Sequence, residues 1–168
     1  LHTNCRNTKE IARTSARNIG LDSKTFINSP VKGEQSFICE YKSGNEGFAL
    51  VEKIVKHLLK EKNANAEDIV ILTMSDFEKS IKKEKNRICN QSLSKFLKKG
   101  SICFNTVDDF KGLEAGYLIL VDVEVAKYDN SHYRNRLYIG CSRAKQGLFM
   151  LLNNPAEDDF ATAMEAIE

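Results

Sequence analysis

Six consecutive residues near the middle of the chain, Asp68-Ile69-Val70-Ile71-Leu72-Thr73, limit the fold more than any other feature. A short continuous apolar run has no polar side to turn toward water, so it predicts a strand buried on both faces. Helices from elsewhere in the chain must cover it. Residues 45–62 form a strong amphipathic helix, with Phe48, Val51, Val55, Leu58 and Leu59 at helical spacing. Residues 8–19 read as a second helix, with Thr8 as its N-cap and Gly20 just past its end. A loop containing Asn28-Ser29-Pro30 follows, and further strands are expected at 36–41, 101–105, 117–123 and 147–152. Helices are expected at 132–145 and 158–167. Strands and helices alternating in this way predict an α/β fold: a mostly parallel sheet with helices on both faces.

The 168 residues suffice for one domain. The longest apolar runs hold five residues, far short of the roughly 18 that mark a membrane span. Cys5, Cys39, Cys89, Cys103 and Cys141 are widely separated, with no C-x-x-C pair and no histidine at ligand spacing. That pattern argues against a disulfide framework or zinc site and fits small buried hydrophobes in a reducing cytosol. Net charge is +2, but it divides into a basic front and an acidic back: +4 over residues 1–60, +3 over 61–105 and −5 over 106–168.

In parallel sheets ligands bind at the carboxyl ends of the strands, so polar motifs following strands are the places to search. Three segments stand out: Asn4-Cys5-Arg6-Asn7-Thr8, Thr106-Val107-Asp108-Asp109-Phe110-Lys111-Gly112-Leu113-Glu114, and residues 134–145. In the third, Tyr133, Leu137, Cys141 and Ala144 fall on one helical stripe and Arg136, Gly140 and Arg143 on another. A glycine between two arginines would leave room for an anion to approach, since guanidinium groups offer paired donors to phosphate. A solvated basic face with an incidental glycine explains the same spacing, and the two alternatives stand level on geometry alone.

Taken together the segments resemble motifs IV, V and VI of superfamily-one helicases of the UvrD/Rep type, in the family's order. Residues 1–11 resemble "L-x-x-N-Y-R-[ST]-T-x-x-I", residues 106–114 "T-[IV]-H-x-x-K-G-L-E", and residues 136–145 "R-L-x-Y-V-x-x-[ST]-R-A-K". The resemblance implies a RecA-like three-layer sandwich, the second of the two motor domains. It implies that Arg6 and Arg143 reach the γ-phosphate of ATP bound with Mg2+ on an N-terminal RecA-like partner. Glu114 would lie near the ribose, with Arg136 and Gly112 also at the nucleotide side. Thr106, Asp108 and Lys111 would serve single-stranded DNA, with Thr106 near a phosphate. Cys5 stands where the family usually has Tyr, Asp108 where it has His, and Asn135 where many members carry Arg. The Thr106-Val107-Asp108 pattern also resembles the RNA-decay branch. Only 85 residues separate Gly20 from Thr106, so the large insertion called 2B is expected to be missing or reduced.

Residues 79–99 hold eight basic side chains against one acid, Glu84. One or two short helices are expected there, either contacting a nucleic-acid backbone or simply solvated. Phe96, the only aromatic in the stretch, is read as core. The chain has no G-x-x-x-x-G-K-[ST] phosphate loop, so it reads as half of an ATPase. An RNA-directed helicase domain of the same superfamily and a degenerate, non-catalytic binding module are the competing readings.

Overall fold

The computed structural model describes residues 7–18, 20, 31–81 and 86–154. The expected loop at 28–30, the helix at 158–167 and the site residue Arg6 lie outside these. Helix α1 spans Lys9–Arg17, and strand β1 spans Phe37–Tyr41. Helix α2 covers Gly44–Lys60, and strand β2 covers Ile69–Thr73. Strands β3 (Arg87–Ile88), β4 (Gln91–Ser94), β5 (Ser101–Thr106) and β6 (Ala115–Val123) follow, then helix α3 (Ser131–Cys141) and strand β7 (Ala144–Asn153). The seven strands form one sheet in the order β1-β7-β6-β2-β5-β4-β3, parallel throughout except for the β3–β4 pair.

Within the run at 68–73, Ile69–Thr73 forms the central strand and is buried along its whole length, while Asp68 is exposed just before it. Its side chains alternate between two cores. Val70 and Leu72 pack with Ile11, Leu118, Leu120, Leu137 and Cys141 on the face covered by α1 and α3. Ile69 and Ile71 join Phe48, Val51, Val55 and Leu58 of α2 on the other. Thr8 caps α1 as its sequence position predicts, accepting from Ile11 N. Ser43 caps α2 by accepting from Glu46 N, and Glu46 accepts in return from Lys42 N, which satisfies two backbone donors at once.

A buried polar knot ties three strand ends together. Asp122 sits in the left-handed region (φ 58°) at an irregularity between β6 and β7. Its carboxylate accepts from Tyr41 Oη at 2.7 Å and Thr73 Oγ1 at 2.6 Å. Burial pushes the Asp122 carboxyl above the ordinary aspartate value, against the lowering pull of those donors.

Two expectations need correction. Residues 79–99 contain no α-helix among those described. Cys89 and Asn90, both at positive φ (48° and 65°), turn the chain tightly from β3 into β4. The helix expected to reach residue 145 ends at Cys141, because Ala144 already pairs with Ala115 in the sheet. No helix among the described residues is long and apolar enough to cross a membrane. The buried thiols of Cys103 and Cys141 are pushed up to about 11 and about 12 by loss of solvent, which keeps them protonated at neutral pH.

Candidate functional site

Because β2, β5 and β6 run parallel, the end of β5 and the start of β6 lie at opposite ends of the sheet. Residues 107–114 therefore cross one face of the sheet from its carboxyl end to its amino end. Val107 and Phe110 are buried in the core on that face and hold the segment down. Gly112 takes φ +88°, a conformation most side chains disfavour, and turns the chain toward Glu114.

At the carboxyl end, Thr106 Oγ1 accepts from Asp109 N at 3.1 Å and shapes the turn. Arg136 reaches over from α3: Nη1 donates to Met74 O at 3.2 Å and Nη2 pairs with Asp108 Oδ2 at 2.8 Å. Arg136 thus joins the ends of β2 and β5. The structure places this expected nucleotide residue beside Thr106 and Asp108, away from Glu114 and Arg143. Lys111 is exposed.

At the other end, Arg143 occupies the turn between α3 and β7. Its N–H donates to Gly140 O and its carbonyl accepts from Ala115 N at 3.0 Å. Arg143 Nε is buried with no hydrogen-bond partner among the described residues. Glu114 lies close by and pairs with Lys145 at 2.7 Å. Asn7 closes the group: its Nδ2 donates to Ser142 O at 2.9 Å and to Ala144 O, the carbonyls on either side of Arg143. The first and third motifs, about 135 residues apart in sequence, meet through this one amide.

Gly140 does not open a path for an anion. A Cβ there would stand 3.2 Å from both Leu120 Cδ1 and Val107 Cγ2, so the glycine lets α3 approach the sheet and the crossing segment. The arginines at 136 and 143 consequently share no anion-binding face.

The placement of two residues escapes sequence reasoning. Asn7 was visible only as part of a motif, and its partners are set by tertiary packing. Phe96, read as core, is 77 % exposed. Truncating Asn7 to Ala removes both bonds that hold the Arg143 turn. We expect a loss of roughly 1–3 kcal/mol, since the carbonyls are left in a half-buried site. Thermal denaturation checks it, at about 2–4 °C per kcal/mol for a chain of this size.

Residues 101–151 match the family described as the UvrD-like helicase C-terminal domain. That stretch contains the second and third motifs whole. No curated protein sequence matches the chain. Among solved structures, the C-terminal domain of a possible DNA helicase from Lactobacillus plantarum WCFS1 is similar in fold, with a TM-score of 0.63 and 17 % identity. The match covers 96 % of this chain and 95 % of that one. Residues 101–151 are thus similar to the UvrD-like helicase C-terminal domain, and the chain as a whole shares its α/β fold with that solved domain.

Proposed function

We propose that this chain is the second motor half of an ATP-dependent DNA helicase or translocase. It would close on an N-terminal RecA-like domain around ATP and hold single-stranded DNA at the opposite end of its sheet. One observation carries the reading. The segment 106–114 begins beside Asp108 and Arg136 at the carboxyl end and finishes beside Arg143 at the amino end, so one stretch of backbone joins two candidate sites.

At the amino end, Arg143 is half-buried in the turn before β7, where its guanidinium would offer donors to a phosphate oxygen of a nucleotide bound on the facing domain. A guanidinium there neutralises negative charge that grows as the γ-phosphate transfers to water. Asn7 positions the turn that carries it, and Arg6, the preceding residue in sequence, is proposed as the second such arginine. Glu114, held by Lys145, is proposed near the ribose. Mg2+ is proposed to be held mainly by the partner domain, together with the phosphates of ATP. At the carboxyl end, Thr106 and Lys111 offer a hydroxyl and an ammonium to the strand's phosphates.

Because the chain has no phosphate loop, it should neither bind ATP tightly nor hydrolyse it alone. A phosphate-release assay on the purified chain tests this directly. Turnover that disappears in the Arg143→Ala variant would mean that the chain holds a complete site, and the reading of it as half a motor would fail.

A further inference from the structure

The loop between β4 and β5 displays an aromatic ring that neither core uses. Phe96 is 77 % exposed and its neighbour Leu97 43 %. The loop is nevertheless fixed at both ends. Phe96 N donates to Ser94 Oγ at 3.1 Å, and Asn105 Nδ2 donates to Lys95 O at 3.0 Å. On the far side, Ser101 N donates to Lys98 O and Gly100 N to Glu67 Oε2. Lys98 and Lys99 follow the ring in sequence and are exposed, with no acid among residues 94–100, while Lys95 sets its ammonium over the Phe77 ring at 4.4 Å.

An exposed Phe leaves apolar surface in water with no gain to the fold, and a pinned backbone presents that ring in a defined place. One exposed ring with ammonium groups close by in the same fixed loop suits a single strand, because every base offers a π-face and every nucleotide a phosphate. Position agrees with chemistry. Asn105, which grips the start of the loop, is the residue before Thr106, so Phe96 follows directly from the carboxyl end of the sheet.

We propose that Phe96 is a stacking platform for an unpaired base of single-stranded DNA, with Lys98 and Lys99 holding the adjoining phosphates. The proposal rests on the nucleic-acid half of the function proposed above and extends its binding surface from Thr106 onto the β4–β5 loop. Binding there is independent of sequence and depends on the base being present.

The chain contains no tryptophan, so Phe96→Trp installs one indole at the ring's own position. The 168-residue chain carrying it is titrated with oligothymidylate of about 12 nucleotides and with an abasic strand of equal length. Stacking quenches the indole with the first and leaves it unchanged with the second. In parallel, Phe96→Ala should weaken binding of oligothymidylate by about 5- to 150-fold and leave the abasic strand unaffected. If oligothymidylate binds without quenching and Phe96→Ala keeps the parent affinity, the platform is refuted while the nucleic-acid reading stands. If the parent chain binds neither strand, both fall. Indole emission that shifts with protein concentration alone marks a surface for a second copy of the chain and also overturns the proposal.

Discussion

Arg143→Ala, made in a protein joining this chain to an N-terminal RecA-like domain, is expected to lower ATP turnover by about 10³–10⁵-fold. Folding should hardly register the change. The hydrogen bonds at this position are made by its backbone, to Gly140 and Ala115, and survive truncation. The melting temperature should stay within about 2–4 °C of the parent, the equivalent of 1 kcal/mol. Single-strand affinity should also persist, because Thr106 and Phe96 lie at the other end of the sheet. Arg143→Lys should restore little, since an ammonium cannot reproduce the planar fork of donors. Steady-state turnover, a melting curve and an anisotropy titration on the same preparations separate these outcomes. Turnover within a few-fold of the parent would make Arg143 an ordinary surface residue.

The largest effect on stability is expected at Asp122. Its replacement by Ala strands the hydroxyls of Tyr41 and Thr73 in the interior, at about 1–3 kcal/mol for each. It also forces a Cβ residue without Asp's local polar bonding into the left-handed region. At about 2–4 °C per kcal/mol, a fall in melting temperature of roughly 4–24 °C follows. Asp122→Asn keeps an acceptor and tolerates that backbone, so its loss should be smaller. The two variants also differ with pH. Burial raises the folded-state pKa of Asp122 above its ordinary 3.8, so ionisation costs more in the folded chain than in the unfolded one. The parent therefore loses stability from this group as pH rises from about 3.8 through the raised value. Asn cannot ionise, so the melting temperature of Asp122→Asn relative to the parent should climb across that window and then level off. A difference independent of pH would show that the carboxyl titrates normally.

The central strand was legible because four apolar residues in a row, Ile69 to Leu72, leave one solution, burial on both faces. The N-cap at Thr8 was legible because its chemistry is local, whereas the C-cap of α1 falls at Asn18. The β3–β4 hairpin was not: its turn is Cys89-Asn90, without the glycine that usually marks such a turn, and its lysines suit an exposed helix equally well. The end of α3 was hidden for a different reason. Nothing in Cys141-Ser142-Arg143-Ala144 forbids another helical turn, and what stops it is pairing with Ala115 and the amide of Asn7, both remote in sequence. Gly140 misled because a glycine records only that something comes close. Whether that is a ligand or Val107 is decided by the fold. Phe96 misled because hydrophobicity predicts burial on average, and an aromatic kept in water is the exception that sequence alone does not flag.

The crossing segment and α3 are laced at three heights: Asp108 to Arg136, Val107 against Gly140, and Ala115 to the carbonyl of Arg143. Two elements fastened at top, middle and bottom cannot slide past each other or bend separately. Mechanically they form a single strut whose ends stand about 20 Å apart, the rise of a six-residue strand. In the motor proposed above, a displacement at Arg143 would be carried to Thr106 by the two elements moving together.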